Sequence, residues 1–398
     1  MPFRNKDKII NAANAAKRTA DKVIHEVDIA SEEEMYTYGQ SIRRLGTTIR
    51  RESARWIPGD GEPTGPIDPT GPIEPTGPIE PSEPTQPPTD PIPYGEIEIP
   101  DVNTIHKVHK VGGAGKVIKG DNVVVKQTRY EYGEWMGLSI AKQDPVNGVV
   151  GLDVSECEFI TGWNGDHKGW GIRGYDMAKF NIRDSSFYCT IPKFKNVEHG
   201  IYCNIYQGGV IENCFFFNFP GQAIQMVWKG RQSESANYEG LTAKAIPGDE
   251  LLVKNCEVHN CGSWYGGRAS YAISMFRGLV SMTIQDTFIQ KFNEPQTKGA
   301  ILFEGEGKNS LRLLNTKAYY PNKPDRELIK CWNAKDVLID GGEYVSPKGV
   351  RFVNCKDIEI KNAKGDAKIW VGNWNNTTKK VDWLIAGNGP SVSDGFKL

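Results

Sequence analysis

The sequence has no apolar run near the ~18–20 residues that a membrane-spanning helix requires, so no membrane span is expected in the chain of 398 residues. The opening residues, Met1-Pro2-Phe3-Arg4-Asn5-Lys6-Asp7-Lys8, hold no apolar segment of the kind that marks a secretory signal, and none is expected there. An excess of either charge is also missing. The 48 Lys+Arg and 49 Asp+Glu give a formal net charge of −1, which argues against a general polyanion binder, and no nucleic-acid partner is expected. Hydrophobic residues make up 38%, low for a single packed globule. None of the eight cysteines forms a Cys-x-x-Cys pair, so no zinc or other metal site is expected, and no cofactor. Buried, reduced thiols are the expectation instead. Turn formers are plentiful: 43 Gly and 24 Pro point to many bends and at least one extended stretch.

Charge divides the chain into three blocks. Residues 1–57 carry 11 Lys+Arg and 8 Asp+Glu, residues 58–100 carry none and 9, and residues 101–398 carry 37 and 32. In the first block Ile9, Ile10, Ala13, Ala16, Ala20, Val23, Ile24 and Val27 fall at three- and four-residue steps, the period of an amphipathic helix. Ser31 with Glu34 fits a capping box opening a second helix. Its stripe, Met35, Tyr38, Ile42, Leu45, Ile49 and Trp56, broken by Glu52, is a short seam suited either to self-association or to docking on another protein. So small an apolar set makes a weak core alone, and this block is expected to anchor to a partner or to oligomerise. The second block repeats Pro-Thr-Gly-Pro-Ile-Asp/Glu from Pro63 and has 14 prolines between Pro58 and Pro100. Glycine recurs at every sixth residue rather than every third, which excludes collagen and favours an extended polyproline linker.

The third block repeats a hexad eight times: an apolar β-former, any residue, a turn-former, a small residue, any residue, and usually an apolar one. The copies start at Val154, Ile182, Ile211, Val253, Ile284, Leu313, Ile339 and Ile360, with spacings of 28, 29, 42, 31, 29, 26 and 21 residues. A small residue followed by an aliphatic precedes most copies: Gly171-Ile172, Gly200-Ile201, Ala272-Ile273, Ala300-Ile301 and Gly349-Val350. The long spacing marks an insertion at roughly 229–250. Two short strands per unit without helical periodicity read as a stacked solenoid, in which each unit is too thin to bury its own apolar face. Ile182, Ile211, Val253, Ile284, Leu313 and Ile339 are expected to form one inward column. The Asn/Asp slot suits a left-handed bend whose amide bonds along the stack. Cys157, Ser185, Cys214, Cys256, Thr287 and Thr316 form a column of small groups beside it.

With these repeats, residues 112–385 resemble a right-handed parallel β-helix of the pectate-lyase-like superfamily. Gly112-Gly-Ala-Gly-Lys-Val-Ile-Lys-Gly-Asp121 resembles a first coil, and Glu198-His-Gly-Ile-Tyr202, Gly209-Val-Ile-Glu-Asn213 and Gln222-Ala-Ile-Gln225 are similar to repeats of polysaccharide-acting proteins and bacteriophage tailspikes. The resemblance implies a mainly β fold: a right-handed parallel β-helix of about nine coils over 101–398, preceded by a short α-helical base (1–57) and a Pro-rich acidic linker (58–100). It further implies a virion structural protein of spike or fibre type, assembled in host cytoplasm. The base would attach to other virion proteins, with a homo-oligomer, such as a trimer, formed through its helices. The β-helix would meet host surface polysaccharide. No trimerisation module is recognisable after the last hexad.

Enzymes of this superfamily carry acids, Arg or Lys on the outer face of one stacked sheet. Glycoside hydrolysis needs two carboxyl groups about 5–9.5 Å apart, a spacing that neighbouring coils can supply at ~4.8 Å per strand. The slot after the aliphatic that precedes each hexad, Ile224 and Ile329 included, reads Arg173, Tyr202, Gln225, Ser274, Leu302, Lys330, Arg351 and Trp370, without a carboxylate column. The nearest catalytic candidates are Asp166, Asp176, Glu198 and His199, with Arg173 steering an acidic sugar and Glu304 a further acid; turn residues and solvated charges explain the same side chains. His199 reads as a turn residue at the stack edge. Exposed aromatics stack on sugar rings, and the glycan-binding candidates are Trp163, Trp170, Arg173, Tyr202, Trp228, Arg231, Tyr238, Trp264 and Tyr265, with Tyr319 and Tyr320 also read as turn aromatics. Packing of loops onto the stack is the plainer role for all of them. The expected activity is therefore binding rather than catalysis. A polysaccharide depolymerase (lyase or glycoside hydrolase) and a non-binding capsid or tail decoration protein are the alternatives.

Overall fold

The structure is a computed structural model. It describes residues 105–111, 116–132, 136–140, 149–161, 169–190, 198–205, 207–227, 249–262, 271–278, 280–291, 299–321, 327–385 and 389–398, with the single positions 90, 91 and 97. The expected helical base and nearly all of the expected linker lie outside these residues. No α-helix occurs among the described residues; Val392–Asp394 is a short 3-10 turn.

Three long sheets make up the described chain: sheet A of nine strands, sheet B of twelve and sheet C of ten. One coil shows how they are wound. Phe180–Arg183 lies in sheet C, Ser186–Cys189 in sheet A and Glu198–Ile205 in sheet B; Gly209–Glu212 then returns to sheet C beside Phe180–Arg183. Neighbours along the stack are parallel and in register, as in Ile182↔Ile211 and Phe187↔Phe216. The fold is thus mainly β, a solenoid of long parallel sheets.

Each coil has three strands where the repeat predicted two. The hexad is not one strand but two, joined by a two-residue corner whose first residue, the hexad's third, is left-handed. Asp184, Asn213, Asn255, Asp286, Asn315 and Asn362 all sit at this corner with φ between 46° and 55°. That is left-handed backbone, in which Asn and Asp are tolerated better than other side chains. Gly341 fills the same corner at φ 73°. The amides link the coils: Asn213 Nδ2 donates to Asp184 Oδ1 at 2.9 Å, and Asn255 Nδ2 to Asn213 Oδ1 at 2.8 Å. The bond repeats from Asn315 to Asp286 and from Asn362 to Asp340.

The core is a set of columns. Ile182, Ile211, Val253, Ile284, Leu313 and Ile339 pair in register along sheet C, each at 0% exposure. In sheet A the sixth residues of the first three hexads, joined by Tyr130 on the preceding coil, form an aromatic stack, with ring centroids 5.0 Å apart from Tyr130 to Phe159, 4.6 Å from Phe159 to Phe187 and 4.8 Å from Phe187 to Phe216. The third column, in sheet B, runs through Ile172, Ile201, Ile224, Ile273, Ile301, Ile329, Val350 and Ile369. Cys157, Cys214 and Cys256 are buried beside the corners. At the far end Lys380–Ile385 pairs antiparallel with Ile369–Asn375, and Phe396–Lys397 pairs antiparallel with Ile358–Lys361. These reversals cover the last parallel edges of sheets B and C, which otherwise template further pairing.

Candidate functional site

Sheet B has the longest strands and presents the richest outer face. Its inward aliphatics are each followed by an outward position, and the register links Arg173, Tyr202, Gln225, Ser274, Leu302, Lys330, Arg351 and Trp370 into one column. This column contains no carboxylate. Its middle, Ser274 and Leu302, is buried, and the two ends hold the accessible chemistry.

At the N-terminal end the Arg173 guanidinium carbon lies 4.4 Å from the Trp170 ring centroid. The Tyr202 ring is 6.2 Å from Trp170 and 5.4 Å from His199. His199 was expected in a turn. It lies instead inside the strand Glu198–Ile205, buried, and its Nδ1 accepts the backbone N–H of Gln222 at 2.9 Å. Because an amide N–H can only donate, Nδ1 must carry its lone pair, so the ring is neutral. Burial pushes its pKa down to about 3. An imidazole locked in this way is a poor general base at neutral pH.

The expected acids do not meet. Glu198 pairs in register with Gly169, whereas Asp176 lies seven residues further along the same strand, Gly169–Ala178. At ~3.3 Å per residue their backbones are about 20 Å apart, well beyond the ~5–9.5 Å of a hydrolytic pair. Asp166, Trp163, Trp228, Arg231, Tyr238, Trp264 and Tyr265 lie outside the described residues. Tyr319 and Tyr320 are buried at 5% and 2% exposure, so neither presents a face to a ligand. Tyr319 donates instead to Glu343 Oε2 at 2.6 Å.

The C-terminal end holds a site that the repeat did not single out. A cleft of about 540 Å³ is lined by Glu304, Glu306, Trp332, Asn333 and Asn354, with Gly305 and Gly307. It lies where sheet B turns into sheet C, and its floor is a second amide ladder. Asn354 Nδ2 donates to Asn333 Oδ1 at 3.0 Å, and Asn354 Oδ1 accepts the backbone N–H of Trp374 at 2.7 Å. Asn333 and Asn354 are both left-handed, at φ 53° and 54°. Asn309 fixes the opposite lip: its Oδ1 accepts the Glu306 N–H at 3.0 Å and its Nδ2 donates to the Val280 carbonyl at 3.1 Å.

Tryptophans crowd this end. The Trp332 and Trp374 rings are 5.7 Å apart, and Trp370 meets Trp383 edge-on at 5.5 Å. Lys330 Nζ sits 4.8 Å from the Trp332 ring, and the Arg351 guanidinium lies 5.0 Å from Trp383. Arg351 is also ion-paired to buried Glu327, which accepts a hydrogen bond from Tyr271 Oη at 3.1 Å. Among the described residues no group of three or more His, Cys, Asp or Glu side chains could hold a metal ion.

Comparison with protein-family models, with curated proteins and with solved structures finds no match to this chain.

Proposed function

We propose that this chain is a spike- or fibre-type structural protein of a bacteriophage virion, whose pectate-lyase-like, right-handed β-helix binds host surface polysaccharide without cleaving it. One observation carries the binding part. The outer face of sheet B offers half-buried tryptophan and tyrosine rings with cations beside them, and its outward column has no carboxylate. Aromatic faces with a few polar neighbours fit sugar rings. The virion part rests on the order of blocks in the sequence: an oligomer-prone base for attachment to other virion proteins, an extended linker, then a solenoid.

A depolymerase is the second reading, favoured by Glu304 and Glu306 on one cleft. The test is to incubate the full chain with purified bacterial capsules and lipopolysaccharide O-chains. Retention, chain length and new reducing or unsaturated ends are then measured. Binding with unchanged chain length is the expected result. Shortening that Glu304→Gln or Glu306→Gln abolishes would establish the depolymerase, and the absence of both binding and cleavage would leave a decoration protein.

A further inference from the structure

We propose that the outer face of sheet A is a docking surface for the end of this chain's own acidic, Pro-rich segment, and that residues 90–104 lie along it as a strap. Four successive coils make the surface. Val258, Ile289 and Ala318 point into the core. Side chains alternate along a strand, so their neighbours His259, Phe288 and Tyr319 point outward, as does Phe215 beside the inward Phe216. These outward rings follow one another at 5.3, 5.7 and 5.5 Å. Phe215, Phe288 and Tyr319 stand outside the packed core cluster, yet the four are exposed by only 5%, 0%, 0% and 5% in chain order. A sheet face that looks outward and is closed to water has another part of the chain over it.

The described residues of the Pro-rich segment point to that part. Burial, the bond to Glu343 and the negative charges of Glu343 and Asp90 all push the Tyr319 pKa up, which puts Asp90 within electrostatic reach of the strand Lys317–Tyr319. Ile97 is buried. The chain length agrees. Lys107–Val111 is the first strand of sheet A, and Lys317–Tyr319 lies seven strands further along, about 34 Å at ~4.8 Å per strand. Between Asp90 and Lys107 the chain must travel that distance along the stack, and its 17 residues reach about 53 Å as polyproline II. The composition suits the path. Ile97 and Ile99 alternate with Glu96 and Glu98, which gives an extended chain one apolar edge for the rings and one acidic edge for water. Pro91, Pro93 and Pro100 lack an N–H, as befits a segment that crosses strands rather than pairing with them. Only the part of the linker before Asp90 then serves as a spacer.

The first arm of the test digests the full wild-type chain with a glutamate-specific endoproteinase. Glu62, Glu74, Glu80 and Glu83 each precede proline, a bond such enzymes cut poorly, so Glu96 and Glu98 are the linker's cleavable sites. Both should be cut about tenfold or more slowly than in a free peptide of residues 88–104, and Tyr319→Ala, which lies outside the core, should restore much of the peptide's rate. Cleavage of the wild type at the peptide's rate, or resistance that Tyr319→Ala leaves unchanged, overturns the strap. The second arm labels histidines with diethyl pyrocarbonate in the wild type and in the full chain carrying Ile97→Asp and Ile99→Asp. His259 should resist in the wild type and react about tenfold faster in the variant, while buried His199 stays unlabelled and reports an intact stack. An intact variant in which His259 remains protected overturns the proposal and assigns the cover to the loops that follow the strands of sheet A. Should the variant unfold, His199 reacts as well, and the digest alone decides.

Discussion

Replacing His199 should change how stability responds to acid, by an amount that follows from its burial. The ring is neutral in the folded chain, 3% exposed, with its pKa depressed to about 3; in the unfolded chain an imidazole titrates near ~6.5. Between those two values the unfolded state takes up a proton that the folded state refuses. The contribution of His199 is therefore fully present above about pH 6.5 and is lost as pH falls toward 3, at ~1.4 kcal/mol per pH unit. From pH 7.5 to pH 5.0 the loss amounts to about 2 kcal/mol. The measurement is urea unfolding at both pH values for the wild type and for His199→Asn, whose amide oxygen can take over the Gln222 N–H. The variant gives up packing and should be less stable at pH 7.5, yet it should lose about 2 kcal/mol less than the wild type on acidification. The other ionisable groups are common to both proteins and cancel. Parallel pH profiles would show that His199 is not held neutral, and the case against it as a locked imidazole would collapse.

Ile284→Ala, in the middle of the sheet C column at 0% exposure, should cost about 2–5 kcal/mol in denaturant unfolding; a cost below about 1 would mean that the column is not a packed core. Asn255→Ala should destabilise more than Asn255→Gly, the reverse of the usual order in strands, because both lose the bond to Asn213 but only alanine is strained at φ 49°; the opposite order in thermal melts would refute the left-handed corner. Cys331 and Cys355 bring their Sγ atoms to 3.6 Å on adjacent coils. Diamide should take two hydrogens from this pair to leave an intramolecular disulfide, read as two fewer of the eight thiols titrating after denaturation, and Cys331→Ser should remove the effect.

The coil period was legible because the corner between sheets C and A is conformationally forced in coil after coil. A single left-handed residue turns the chain from sheet C to sheet A, and Asn213, Asn255, Asn315 and Asn362 mark it in the sequence as plainly as in the structure. The same economy hid the third sheet. With no Gly or Pro cluster between Ile182 and Phe187, the hexad reads as one element, although its two halves lie on different faces. The second amide ladder was hidden for another reason. Among the described residues it surfaces only as Asn333 with Asn354, while Asn218 with Asn260 makes a separate pair at the corner that follows sheet A. The aromatic stack of Tyr130, Phe159, Phe187 and Phe216 was visible only as an apolar preference at the hexad's sixth position, since ring stacking requires the register as well as the residue type.

Charged residues misled the search for a site, and the stacking explains why. In a parallel solenoid, equivalent positions lie ~4.8 Å apart along the stack, so a charge on one coil faces whatever occupies that position on the next. The chain answers with opposite charges: Lys254 on Glu212 at 2.9 Å, Lys361 on Asp340 at 3.6 Å and Arg129 on Glu158, with Arg183 reaching diagonally to Asp153 at 3.3 Å. The exposed pairs are each worth only about 0–1 kcal/mol, but they account for many acids and bases without invoking catalysis. An acid in such a sequence is therefore weak evidence for an active site. Tryptophan is stronger evidence, because the inward columns here are filled mainly by aliphatics, Phe, Tyr and Met, with no tryptophan among the described core residues. Trp332, Trp370, Trp374 and Trp383, four of the ten in the chain, fall within one short stretch. That density was present in the sequence. It went unread because Trp332 lies two positions beyond the outward slot that the repeat defines, and Trp374 lies on the strand paired with the antiparallel cap, where the repeat has ended.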